Sequence, residues 1–211
     1  MKIKVEAFRE DWAEVKKAAL VTVHKKTLGS NLTGEWKEAM CLGRHSPIRE
    51  FRIKVLVEDI PRWVADQLVR HNVGVNNFMG TGRSDRGNKP RAEQTMEDLT
   101  VFKQSFNIES FTKFCNTRLC VGSVSKQTRE LVEQIVREVR EVEPQIAEYC
   151  VPPCISSLYC KEAKLRKMTG LPECNHLRMF MKYNLSEYME QVVYTNPDDR
   201  FQAYKIFRDE N

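Results

Sequence analysis

Residues 60–71 place Trp63, Gln67 and Arg70 at spacings of four and then three. A helix puts such residues on one face, with Val64, Leu68 and His71 on the neighbouring face. Gln67, Arg70 and His71 therefore gather at the C-terminal end of this helix, where a glycine-rich segment begins. A guanidinium with an amide one turn away can grip a phosphate or the carbonyl edge of a pyrimidine. Basic side chains in a last turn also suit the helix dipole, and periodicity alone favours that plainer reading. In the following segment, Gly74, Gly80, Gly82 and Gly87 permit tight turns, and Arg83, Arg86, Lys89 and Arg91 make it strongly basic. Such a loop can bind phosphate through backbone N–H groups and guanidinium forks; a solvated loop is the alternative. No G-x-G-x-x-G follows a strand and no Walker-type lysine is present, which argues against a Rossmann site or a P-loop.

The elements that must position these residues are legible in part. Phe51, Ile53, Val55 and Val57 alternate through residues 50–58 and predict a strand. A helix is expected to follow at once to about His71, with Asp59 as N-cap and Pro61 in its first turn. Residues 2–7 alternate as a strand. Trp12, Val15, Ala19 and Val23 form a helical stripe in residues 11–25. Residues 28–48 read as loop, with a short helix near 35–40. Residues 72–95 read as one long loop, a kind of segment that is commonly functional. A helix is expected at 108–119. A longer one, capped by Ser125, carries Leu131, Ile135, Val139 and Val142 on its stripe and stops at Glu143-Pro144. The expected fold is an α/β (α+β) domain, a central mixed sheet flanked by helices. Residues 1–149 form the core and residues 150–211 a cysteine-containing C-terminal extension.

The chain has 211 residues, 41% hydrophobic and 30% charged, with a net charge of +5. That suits a globular domain, and no apolar run approaches the ~20 residues that span a bilayer. Residues 1–5 lack a signal-peptide core, so an intracellular, cytoplasmic protein with no membrane partner is expected. The positive excess is too small to argue for nucleic acid. Phe78 is the lone aromatic in the basic segment, which counts against single-strand binding. The seven cysteines are odd in number. Cys150, Cys154, Cys160 and Cys174, with His176, could ligate one zinc, but they lack paired C-x2-C knuckles, and structural packing is the alternative.

Several runs, in order, resemble the flavin-dependent thymidylate synthases. Gln67-Leu68-Val69-Arg70-His71 matches that family's Q-L-V-R-H helix end. Arg70-His71-Asn72 followed by Thr81-Gly82-Arg83 resembles its signature R-H-R-x-x-S-x-N-E-x-S-x-R-Y. Gly43-Arg44-His45-Ser46-Pro47 stands where the family has G-H-x-S-P. Asn116-Thr117-Arg118-Leu119 resembles its N-x-R-L segment, and residues 125–129 its A-Q-x-E-I-R helix opening. Pro152-Pro153-Cys154 through Cys160-Lys161-Glu162 resembles a cysteine-rich ending of some members. The resemblance spans roughly residues 40–165. Departures are Asn72 at the third signature residue, Ser84 at its tyrosine, one extra residue between Arg70 and Arg83, and no glutamate between His71 and Arg83.

The resemblance implies a thymidylate synthase-complementing-protein-like fold. It also implies a homotetramer with shared sites, and reductive methylation of dUMP to dTMP with FAD, NADPH and methylenetetrahydrofolate. It implies that Gln67, Arg70, Thr81, Arg83 and Arg129 bind the nucleotide, with Thr81 and Arg129 closest to the chemistry. His45, Arg70, His71, Asn72, Asn116 and Arg118 would bind flavin. Alternatives are a divergent relative modifying another deoxypyrimidine nucleotide, and a non-catalytic nucleic-acid-binding module.

Overall fold

A computed structural model describes residues 1–7, 11–26, 32–86, 89–156 and 168–170. It divides into two compact units, Met1–Phe111 and a second from Thr112 onward. The first unit holds strands β1 (Lys2–Ala7), β2 (Arg52–Pro61), β3 (Val75–Met79) and β4 (Leu99–Asn107), in the order β1-β2-β4-β3. It also holds helices α1 (Asp11–Thr22), α2 (Gly34–Leu42) and α3 (Arg62–Val69), and the start of α4 (Ile108–Arg118).

The α+β class and the helix-flanked sheet stand, but every strand pair is antiparallel where a mixed sheet was expected. The reason is topological. β2 and β3 run parallel on either side of α3, and β4 inserts between them and pairs antiparallel with both. Phe51, just before β2, and the inward positions Ile53, Val55, Val57, Phe102 and Phe106 of β2 and β4 are all at most 2% exposed. Trp12 of α1 packs on Phe51 with ring centroids 4.9 Å apart, and the Asp11 carboxylate accepts from Arg52 N–H at 2.8 Å. α1 is thereby tied to the start of β2.

The passage from β2 to α3 differs from expectation. Asp59 does not cap the helix: β2 continues to Pro61, which precedes α3 with no side-chain cap. Glu58 and Asp59 together oppose Val101, because the register runs from Val57↔Phe102 to Ile60↔Thr100. Strict alternation would turn residue 59 inward; this β-bulge turns in Ile60, which is fully buried. Asp59 takes φ 56°, a left-handed conformation that short polar residues tolerate. Asp59→Val should therefore cost about 1–2 kcal/mol, and Asp59→Gly should be near neutral. Denaturant midpoints of the two variants check this.

Residues 72–95 are not one loop. β3 lies within them, at the sheet edge. Its pattern is inverted for a sequence reader: Asn77 faces inward, while Phe78 is 60% exposed.

In the second unit, α5 (Lys126–Val142) begins as expected, the Ser125 hydroxyl accepting from Thr128 N–H at 3.4 Å. Leu131, Val132, Ile135, Val136 and Val139 are fully buried. Glu143 closes the helix and opens α6 (Pro144–Ala147), and α7 (Pro153–Ser156) follows. Most of the expected C-terminal extension, including Cys160, Cys174, His176 and the tail aromatics, lies outside the described residues.

Candidate functional site

The C-terminal end of α3 is built from the amides of two neighbouring strands. Asn77 and Gln104 stand opposite each other in the β3–β4 register. Gln104, 2% exposed, donates through Nε2 to Asn77 Oδ1 at 2.7 Å and to the Leu68 carbonyl at 3.4 Å. Asn77 Nδ2 in turn donates to the carbonyls of His71 at 2.8 Å and Val69 at 3.4 Å. A helix leaves its last carbonyls without intrahelical partners; here the paired amides satisfy them. They thereby fix the turn that carries Gln67, Arg70 and His71. Arg70 is the C-cap residue and is exposed. Its guanidinium has no hydrogen bond or ion pair among the described residues. Asn72 is exposed in the turn that follows.

β3 leads from this turn to Thr81-Gly82-Arg83. The Thr81 hydroxyl accepts from Arg83 N–H at 3.2 Å. Arg83 is gripped at both ends by Asp85 (Nε–Oδ1 2.9 Å, Nη2–Oδ2 2.7 Å), which holds its pKa above the usual guanidinium value. Gln94 organises the loop from inside, donating to the carbonyls of Gly82 at 2.5 Å and Lys89 at 2.8 Å. Asp98 closes it, taking Lys89 Nζ at 2.7 Å and Thr95 N–H at 3.0 Å. Those bonds hold the Asp98 carboxyl below its ordinary pKa, the Lys89 bond foremost. The support they give is full above the ordinary carboxylate range and is lost as pH falls through the lowered pKa. A cavity of about 380 Å³ opens here, lined in part by Arg62, Thr81, Gly82 and Gln94. Gln94 and Asp98 were not singled out in the sequence; a polar residue whose work is to bond loop carbonyls has no spacing signature.

His45 stands just before a 3-10 turn at Ser46–Glu50, makes no side-chain cap bond to it, and is exposed. It borders a second cavity of about 320 Å³ walled by Trp36, Met40 and Pro47. Its ring packs so closely over Gly43 that a β-carbon there would lie 2.5 Å from His45 Nε2.

The remaining candidates belong to the second unit. Asn116 Nδ2 donates to the carbonyls of Tyr149, at 3.2 Å, and Val151. Its amide thus secures the segment around Cys150. Arg129 Nε sits 3.7 Å from Glu133 Oε1 one turn on, with the side chains 13% and 1% exposed. Arg118 is half-buried at the end of α4. Cys115 and Cys150 are fully buried free thiols. Burial first, and the Cys150 thiol second, push the Cys115 thiol well above its ordinary pKa. Among the described residues no group of three or more His, Cys, Asp or Glu side chains is placed to hold a metal, and Cys160 and Cys174 lie outside them. No described helix is long and apolar enough to cross a membrane.

No family model matches the chain, and no curated protein matches it. Solved structures do. The UMP/dUMP methylase PolB from Streptomyces cacaoi, bound with 5-Br dUMP, superposes with a TM-score of 0.53 at 15% identity. That match covers 72% of this chain and 98% of the methylase. Thymidylate synthase X from Helicobacter pylori, crystallised with FAD and dUMP, superposes with a TM-score of 0.56 at 11% identity. It covers 72% of this chain and 99% of the synthase. The chain thus has the fold shared by a flavin-dependent thymidylate synthase and a pyrimidine nucleotide methylase.

Proposed function

We propose that the protein is a flavin-dependent thymidylate synthase, methylating dUMP to dTMP with methylenetetrahydrofolate as carbon donor and NADPH as reductant. One observation carries this reading. The fold matches, over 98–99% of their length, two proteins described with dUMP or its bromo analogue. At the two ends of one short strand, β3, the chain places the Arg70-His71 and Thr81-Gly82-Arg83 runs that resemble the synthase signature.

The donor set suits FAD. Arg70 is exposed and uncommitted at the end of α3, where a guanidinium fork can take a diphosphate oxygen. The apolar cavity beside His45, walled by Trp36 and Met40, suits a flat ring. When bound, FAD supplies the reducing equivalents. The chain's own groups bind and orient. Gln67 and Arg70 present donors to the pyrimidine carbonyl edge, and the Thr81 hydroxyl lies beside the base. In the first unit, the resemblance gives Arg83 the nucleotide's negative charge and sets His71 and Asn72 beside the flavin; in the second, it gives Arg129 to the nucleotide and Asn116 and Arg118 to the flavin. No protein nucleophile is required, so threonine in place of the signature serine is compatible with activity. Catalysis then rests on holding reactants in register and on preorganised positive charge. The active form is a homotetramer in this reading, and its compartment the cytoplasm.

A second reading, a divergent enzyme acting on a related pyrimidine nucleotide, is favoured by Asn72 and Ser84 at two signature positions. Turnover with FAD, NADPH and methylenetetrahydrofolate, offered dUMP, UMP or dCMP, separates the two. A product one methyl group heavier from dUMP supports the first. A methylated product only from UMP or dCMP supports the second.

A further inference from the structure

Each carboxylate lining the cavities at Gly82 has a partner. Asp85 holds Arg83, Asp98 holds Lys89, and Glu97 accepts from Trp63 Nε1 at 3.2 Å. The Gly82 and Lys89 carbonyls are taken by Gln94. An adjoining cavity of about 360 Å³ shares Arg62, Gly82 and Gln94 with the first and adds Arg91. Among the cations lining the two, Arg83 and Lys89 are neutralised by their carboxylates. Arg62 and Arg91 have no ion pair or side-chain hydrogen bond among the described residues. Arg62 is half-buried and lies directly over the glycine. A β-carbon at Gly82 would sit 2.6 Å from its Nη1 and 3.1 Å from its Nη2. The absent side chain at Gly82 thus leaves room for the guanidinium.

We infer that Arg62, supported by Arg91, is the anion anchor of this site and takes the phosphate of the bound nucleotide, a role the signature resemblance assigns to Arg83. Four cations against three carboxylates line the two cavities, each carboxylate has a partner, and two guanidinia stay uncommitted among the described residues; this favours a dianion over a cation. Planar guanidinium forks match two phosphate oxygens at once. Arg83 would have to break two short bonds to Asp85 to do the same work.

This inference rests on the nucleotide reading above, and its test separates the two. Dissociation constants for dUMP and for deoxyuridine, which lacks the phosphate, are measured on the full chain and on Arg62→Gln, Arg91→Gln and Arg83→Gln. Inorganic phosphate serves as a further probe. Arg62→Gln should weaken dUMP binding about 10- to 100-fold and leave deoxyuridine unchanged, with smaller losses for Arg91→Gln and Arg83→Gln. An equal loss for both ligands, no loss, or a larger phosphate-specific loss in Arg83→Gln would overturn it. If the wild-type chain binds neither nucleoside nor nucleotide, yet binds inorganic phosphate in an Arg62-dependent way, the nucleotide reading fails while the anion site stands.

Discussion

Arg70→Ala is expected to leave the fold intact and to weaken both FAD and dUMP binding. Arg70 is exposed at the end of α3, and its side chain holds nothing else in the described structure. Surface changes of that kind shift stability by about 0.5 kcal/mol or less. The guanidinium is, however, a charged donor with no partner among the described residues, on a turn that the Asn77 and Gln104 amides hold in place. A charge-assisted hydrogen bond lost at a binding site costs about 1.5–3 kcal/mol, or roughly 10- to 150-fold in affinity. Turnover falls further where one residue serves both flavin and nucleotide. Thermal melting and two dissociation constants test this. Unchanged binding, or binding lost only together with the fold, would contradict it.

The second large effect is expected at the Asn77–Gln104 pair, residues that touch neither ligand in this account. Asn77→Ala leaves the His71 and Val69 carbonyls without that donor and removes the acceptor of a Gln104 amide that is almost wholly buried. Stranding buried polar groups costs about 1–3 kcal/mol. The two amides share one network, so Gln104→Ala in the same chain should add less than its separate cost. A double-mutant cycle should return a coupling of about 0.5–3 kcal/mol. The same change loosens the turn bearing Arg70 and His71, so ligand affinity should fall as well. Ile135→Val, in the core of the second unit, supplies the control. It should cost about 0.5–1.5 kcal/mol and leave the binding constants alone. Additive stability effects, or equal loss of affinity in the control, would mean that the amides do not position the turn.

What could be read before the structure was whatever periodicity and capping encode. The stripe of Trp12, Val15 and Ala19, the alternation from Phe51 to Val57 and the Ser125 cap each depend on neighbours a few residues away and recur in the structure, whereas Val23, expected on the same stripe, lies beyond the end of α1 and is 52% exposed. Features that depend on pairing across the sheet were hidden. β3 escaped because its inward positions include Asn77 and its outward ones Phe78, the reverse of the usual alternation. The bulge at Asp59 looked like a helix cap, since the same short polar residue serves both. The candidate site divides the same way. Arg70, His71, Thr81 and Arg83 were legible as types at a spacing and fall at the two ends of β3. That Arg83 would be neutralised by Asp85, or that Gln94 would shape the loop, depends on contacts that no spacing announces.

The central claim is that this fold binds flavin and a pyrimidine nucleotide together. Its most direct test is the visible absorption spectrum of the purified full chain, recorded alone, after adding FAD and again after adding dUMP. The account predicts flavin bands that remain with the protein through gel filtration and shift when dUMP is added, with the shift reduced in Arg70→Ala. A protein that stays colourless and does not retain added FAD would contradict it, and would leave a fold shared with these enzymes but put to another use.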